Sequence, residues 1–368
     1  MWKNPTSRRH LAVVLLTRCH WHTPCDYRKW SGPPFAPCDL FWSGKFDGFM
    51  RVLIAYDGSK SAEAAIDDLA VAGLPSTGSA MVVSVAEVWL PPADSIDDTS
   101  EDSSAYIESI IREHREKGER MLASASILAK HAATRVQNAL RDWDVTSEAT
   151  FGSPAWAILE AAESFNADLI IVGAQGHSVV SSFLLGSTSQ TVLTEAKCSV
   201  RVARGKNELE PGLGRILIGF DASKGAAAAV AAVASRTWMR GTEVRLLSVT
   251  EPSAPSSIGR FVTPIRKAFT ETETIDDKWI AELADVALAK LKDRRIDATL
   301  HLCPGNPKDV LVHEAQIWGA DAIFVGANAM GGRLARLLLG STASAVAARA
   351  HCSVEVVRSP EQARAGSE

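Results

Sequence analysis

No stretch of the 368-residue chain reaches the ~18 successive apolar residues that a membrane-spanning helix needs, so no membrane span is expected. A basic surplus is lacking too. With 39 Lys and Arg against 43 Asp and Glu, the formal charge of −4 gives no electrostatic footprint for nucleic acid. Cysteine is scarce, at six residues, and the three that follow the first 49 positions (Cys198, Cys303 and Cys352) are widely spaced and odd in number. They match no disulfide framework or metal spacing, and a reducing cytoplasm is the simplest compartment for them. The composition itself, 46% hydrophobic and 22% charged, is that of an ordinary soluble globular protein. The length suffices for two domains that each bury a core.

Residues 1–49 stand apart. They carry four of the ten Trp (Trp2, Trp21, Trp30, Trp42) and three of the six Cys (Cys19, Cys25, Cys38), with clustered Pro and no sustained period of 2 or 3.6. Poor order is expected there. "RRHLAVVLL" opens like a signal peptide, but the apolar stretch Leu11 to Leu16 is short and no clean cleavage site follows. "CHWHTPC" gathers Cys19, His20, His22 and Cys25 without a two-pair zinc spacing. The favoured reading is that Met50 opens the native chain, because "MRVLIAYDGSKSAE" begins a strand at once. The segment's seven Lys or Arg and three Asp or Glu give it +4, which leaves the remainder at −8.

The remainder is a duplication, and a repeat decides the architecture before any single motif does. "RVLIAYDGSKSAEAAIDDLA" from Arg51 aligns without a gap on "RILIGFDASKGAAAAVAAVA" from Arg215, and "GSTSQTVLTEAKCSVRVAR" from Gly186 aligns on "GSTASAVAARAHCSVEVVR" from Gly340. The offset falls from 164 to 154, so the first copy holds an insertion in its central loop and helix. Domains are expected over 50–206 and 213–360, with a disordered tail over 361–368.

Each copy alternates strand and helix. "RVLIAY" is the continuous apolar run of a strand buried on both faces of a parallel sheet, and "SAEAAIDDLAVAG" after it has helical spacing and a closing Gly73. There follow a strand "AMVVSVAEV", a polar loop "PPADSIDDTSEDSS" and a helix from Tyr106 to about Leu140. Next come a strand "VTSEATFG" and a helix with Ser153 as N-cap and Pro154 at its first position. "ADLIIVG", "STSQTVLTEA" and "CSVRVAR" complete a strand, a helix and a fifth strand. The fold class is therefore α/β: two tandem doubly wound domains, each on a five-stranded parallel sheet, with ligands expected beyond the carboxyl ends of the strands where the strand order reverses.

"VGAQGHSVVSSFLLGSTSQTV", residues 172–192, lies at such an end. Its glycines follow the spacing G, two residues, G, nine residues, G-S. A phosphate chain needs converging backbone N–H donors, which demands a close approach that Gly allows, and a following helix adds its free amides and positive dipole end. The plainer reading is a tight strand-to-helix turn. His177 is read as a solvated side chain, as are Lys60 and, in the second copy, Arg333.

The spacing at Gly173, Gly176, Gly186 and Ser187, together with "LIAYDGSKSA" and "VVSVAE", resembles the universal stress protein family and its ATP-binding subset, from Met50 to about Arg358 in two copies. That resemblance implies a Rossmann-like fold of the adenine nucleotide alpha-hydrolase kind and ATP, with Mg, as ligand. It implies that Ala55 and Tyr56 flank the adenosine, that Asp57 takes ribose hydroxyls and that Val85 pairs its backbone with adenine. Val172 and Gly173 would line the pocket, and Gly176, Gly186, Ser187, Thr188 and Ser189 would hold the phosphates. For Asp57 the residues alone also fit a turn, and for Val85 plain sheet core.

The second copy keeps Phe220, Asp221, Val249, Gly326, Gly340, Ser341 and Thr342 but departs from the pattern twice. Ala329 stands where Gly is expected, and Gly340 comes one residue late, although Gly331 and Gly332 could reshape the loop.

No G-x4-G-K-[S/T] occurs, and no cation sits inside the first glycine loop to serve phosphoryl transfer, so no catalytic residue is named. The leading expectation is a nucleotide-dependent regulatory module of the stress response with an unidentified protein partner. A slow ATPase or self-phosphorylating protein, and a structural dimer with vestigial sites, are the alternatives. "CSVRVAR" and "CSVEVVR" alternate apolar and polar residues as edge strands do, and the resemblance implies that the copies pack through them as an internal pseudo-dimer. Pairing of two chains into a homodimer is open.

Overall fold

The computed structural model describes residues 49–88, 101–175, 185–205, 214–250, 280–327 and 339–359. The expectations for residues 1–48, the 361–368 tail, Gly176, His177, Ala329, Gly331, Gly332 and Arg333 lie outside the described residues.

The first half runs β1 (Phe49–Ala55), α1 (Lys60–Asp67), β2 (Thr77–Ala86), α2 (Glu101–Ala139), β3 (Trp143–Phe151), α3 (Pro154–Phe165), β4 (Leu169–Gly173), α4 (Ser187–Glu195) and β5 (Ser199–Ala203). The second half repeats the order with β6 (Arg215–Gly219), α5 (Lys224–Ala234), β7 (Glu243–Thr250) and α6 (residues 280–293). It continues with β8 (Asp297–Pro304), α7 (Pro307–Trp318), β9 (Ala322–Gly326), α8 (Ser341–Arg349) and β10 (Ser353–Val357).

The strands form one sheet of ten in the order β3-β2-β1-β4-β5-β10-β9-β6-β7-β8. Pairing is parallel within each half, as crossover helices require, and antiparallel only where β5 meets β10. Each half therefore reverses its strand order between its first and fourth strands, β1/β4 and β6/β9. The two five-stranded sheets join through their fifth strands into one.

Local chemistry explains most element boundaries. Ser59 and Ser223 cap α1 and α5 by accepting from the Ala62 and Ala226 amides at 3.2 and 3.1 Å. Ser153 occupies the N-cap of α3 with Pro154 just inside, but its side chain makes no capping bond. Asn166 ends α3 in the left-handed region at φ 54°, where its short polar side chain is tolerated. Several boundaries differ from the sequence reading, the start of α2 among them. Residues 101–104, the end of the expected polar loop, are already helical, because Glu, Asp and Ser suit a helix start.

The fifth strands pair with each other, as the expected internal pseudo-dimer requires, and their charged positions do not face solvent: Arg201 of β5 and Glu355 of β10 are each 0% exposed. Their charges are answered inside the protein. Arg201 donates through Nε to Asp68 Oδ2 at 2.5 Å, through Nη2 to Asp68 Oδ1 at 3.1 Å and through Nη1 to Glu355 Oε2 at 3.4 Å. Arg236 closes on both Glu355 oxygens, and the Ser353 hydroxyl donates to Asp68 at 2.7 Å. Burial disfavours the Arg201 charge, but the Asp68 and Glu355 carboxylates outweigh it and raise its pKa.

Around this cluster the halves clasp each other. Arg204, beyond β5, donates to the Ala347 and Ala348 carbonyls at the end of α8, while Arg358, beyond β10, donates to those of Leu193 and Thr194 in α4. Each cation thus sits at the negative end of a helix in the other half. The Ser353 and Ser199 hydroxyls accept from the Arg204 and Arg358 amides at 3.0 and 3.2 Å. Trp238 fills the space beside Gly73 (φ 64°), where a Cβ would lie 2.5 Å from the indole. Its ring meets Phe324 edge-on with centroids 6.1 Å apart.

Candidate functional site

At the carboxyl ends of β6 and β9, where the second half reverses its strand order, lies a cavity of about 260 Å³. All seven second-site positions named from the sequence line it: Phe220, Asp221, Val249, Gly326, Gly340, Ser341 and Thr342. Pro307 and Leu311 of α7 add an apolar wall that sequence reasoning did not name. The signal was available in principle, since α7 begins with Pro307 at the same relative place as Pro154 in α3.

The three helices that begin at this cavity differ in a way that bears on where an anion could go. The Ser223 and Asn306 side chains already cap α5 and α7, whereas α8 starts at Gly340 with no side-chain cap. Gly340 itself is committed, its N–H donating to the Ala327 carbonyl at 2.7 Å. The amides of the first turn of α8, with the Ser341 and Thr342 hydroxyls beside them, are therefore the donors that a bound phosphate would use. Asp221 stands exposed at the mouth, and its Oδ1 accepts from the Ser223 N–H at 3.0 Å in a turn.

The first half has the same frame. Asp57 is exposed, with Oδ1 accepting from the Ser59 N–H at 2.9 Å. α4 starts at Gly186 without a side-chain cap, and the Gly186 N–H goes to the Ala174 carbonyl at 2.8 Å. Ser187 is exposed and Thr188 half-buried at that helix start. Val172 is buried at the end of β4, while Ala55 and Val85 are half-buried against the same core layer. Gly176, the second glycine of the spaced pattern, lies outside the described residues.

Three expected roles change. Tyr56 turns its ring to the opposite face of the sheet, into the core formed with α1 and α2, and its hydroxyl donates to Glu63. Side chains alternate across a strand, so Ala55 and Tyr56 cannot both face one cleft. Ser189 is buried, and its hydroxyl donates to the Gly173 carbonyl at 2.6 Å, fastening α4 to β4 instead of reaching outward. The amide of Gly186 is spent within the turn.

Gly173 and Gly326 also have a reason different from phosphate contact. A Cβ on Gly173 would lie 2.7 Å from the Ser61 carbonyl carbon, and one on Gly326 only 2.3 Å from that of Gly225. Each marks the point where the helix after the half's first strand crosses closest to its fourth. The bare backbone is required by packing before any ligand arrives.

Among the described residues no group of three or more His, Cys, Asp or Glu is placed to hold a metal ion, and their cysteines are free. Burial pushes the Cys198 and Cys352 thiols up to about 12, with Arg358 and Arg204 pulling weakly the other way. Both remain neutral in the folded protein while an unfolded thiol ionises near its usual ~8.5. Their contribution to stability is complete below that value and is lost as pH rises through about 12. Alkylation of native protein at pH 8 followed by peptide mapping will find the buried Cys352 unmodified until the chain is unfolded.

A tandem doubly wound sheet with a cavity at the reversal point of its second half defines a class of two-domain α/β proteins, and the comparisons agree on which. The sequence model of the universal stress protein family matches residues 48–204 and again 212–358. The chain belongs to that family. A universal stress protein of Mycobacterium tuberculosis strain H37Rv is 26% identical over 320 residues, spanning 83% of this chain and 96% of its own. One from Thermus aquaticus is 32% identical over 159 residues, 42% of this chain and 99% of its own. Among solved structures, a universal stress protein from Archaeoglobus fulgidus shares the fold with a TM-score of 0.52 at 21% identity, covering 84% of this chain and 96% of that one. No helix among the described residues is long and apolar enough to cross a membrane.

Proposed function

We propose that this protein binds ATP with Mg at the carboxyl edge of its sheet and acts in the cytoplasm as a nucleotide-dependent regulatory module of the stress response. Occupancy would alter the surface offered to a protein partner. The observation that carries the reading is the second-half cavity, with Asp221 at its mouth and the uncapped start of α8 at its floor. A nucleoside has an apolar face for Val249 and Leu311, hydroxyls for a carboxylate, and phosphates for helix amides. The repeated frame in the first half supports a second site there, built on Asp57, Ser187 and Thr188.

Calorimetric titration with Mg-ATP tests this. Saturation at 100 times Kd would raise the unfolding free energy by about 2.7 kcal/mol, seen as a thermal upshift. Asp221→Ala would weaken the second-half site roughly tenfold, as expected for loss of a hydrogen bond to a charged group. Absence of heat and of a thermal shift at millimolar Mg-ATP would refute the reading. Mass spectrometry of protein incubated for hours with Mg-ATP then separates the module from an enzyme. ATP retained unchanged supports the module, whereas accumulating ADP or phosphorylated Ser187 or Thr188 supports turnover.

A further inference from the structure

The β5–β10 ladder sets Arg201 directly opposite Glu355, with Val202 facing Val354 and Val200 facing Val356 on either side. These are equivalent positions of the two copies, each three residues after the matching cysteines Cys198 and Cys352. A local two-fold axis therefore passes between them. In a pair of identical first halves, Arg201 would face a second Arg201, and in a pair of second halves Glu355 would face Glu355. With both side chains fully buried, neither could swing into water to escape.

The cluster around the axis has diverged in the same sense. Asp68, which holds Arg201, has Ala232 as its counterpart in the gap-free alignment, and Arg236 of the second half holds Glu355. Each half thus brings one axial charge and its own counterion, and the two signs are opposite. We propose that this axial pair is a recognition code that makes the halves non-interchangeable: the first half accepts the second and rejects another copy of itself. The code operates beside the covalent link, which raises the effective concentration of one half near the other but cannot by itself tell a partner from a twin. Like charges buried face to face at an interface disfavour pairing by at least about 100-fold.

The test cuts the link. A protease site inserted between Gly205 and Gly214 lets the folded full chain be cleaved once into two non-covalently joined halves. Isotopically labelled and unlabelled cut protein are mixed and warmed until labelled and unlabelled halves have exchanged, and native mass spectrometry counts the species. Pairs of one first half with one second half are expected, with homodimers at no more than about one in a hundred. In an Asp68→Ala, Arg201→Met companion, which removes the axial charge of the first half together with its counterion, first-half homodimers are expected to rise at least about tenfold. Homodimers at statistical abundance from the unmodified halves would overturn the proposal. So would an abundance of first-half homodimers unchanged by the double substitution, since shape at Trp238 and Gly73 would then account for the selectivity.

Discussion

Arg201→Ala is expected to remove about 3–5 kcal/mol of stability, the usual cost of deleting one partner from a buried ion pair. The reason lies in what remains. Asp68 would keep the Ser353 hydroxyl as its partner but lose two charge-assisted bonds from the guanidinium, and Glu355 would depend on Arg236 alone. A carboxylate so nearly sealed from water cannot recover the loss by hydration. Against a native stability of about 5–15 kcal/mol, this is a large fraction. Arg135 makes the useful contrast. It pairs with Glu63 and Asp67 in partial contact with solvent, so Arg135→Ala should cost under about 1 kcal/mol. Urea unfolding measures both. The Arg201 variant should show the much lower midpoint at a similar slope, and equal midpoints would mean that solvent reaches the interface cluster.

Much of this architecture was legible because it is written in repeats and short apolar runs. "RVLIAY" and "LIIV" are too apolar for a half-exposed strand, and they lie at the centre of the first half with helices on both faces. The match of Asp57 with Asp221 followed from the gap-free alignment, and that of Gly186, Ser187 and Thr188 with Gly340, Ser341 and Thr342 from the later repeated block. What alternation could not reveal is whether a polar residue faces water or another charge. Arg201 and Glu355 fit an exposed edge and a buried pair equally well in sequence, and the decision rests on Asp68, 133 residues away, and Arg236, 119 residues away. Ser189 was misread for a related reason. A hydroxyl after a glycine loop suits a ligand, and only the fold places the Gly173 carbonyl 2.6 Å from it. Tyr56 needed only strict period-2 reasoning to be set on the far face from Ala55.

Gly326→Val should be the second most damaging change, and its cause distinguishes two meanings of a loop glycine. The new Cβ would stand 2.3 Å from the carbonyl carbon and 2.5 Å from the Cα of Gly225, so backbone meets side chain with nothing flexible to give way. Either β9 leaves its parallel register with β6 and β10, or α5 lifts from the sheet. Overpacking of a well-filled core costs about 1–3 kcal/mol, with larger values where the obstacle is main chain. Because Gly326 also lines the second-half cavity, the movement that relieves the clash reshapes the cleft as well. Gly152→Ala supplies the control. That glycine has open space around it but a φ of 121°, so any loss there comes from backbone strain alone. In thermal unfolding, both variants lose stability. Under the proposed ATP-binding function, only Gly326→Val is expected to lower the ATP saturation measured by calorimetry, by up to one site per chain, with Asp57 and α4 of the first half left in place. A Gly326→Val protein that keeps both its melting temperature and its full stoichiometry would show that α5 and β9 do not pack as closely as 2.3 Å implies.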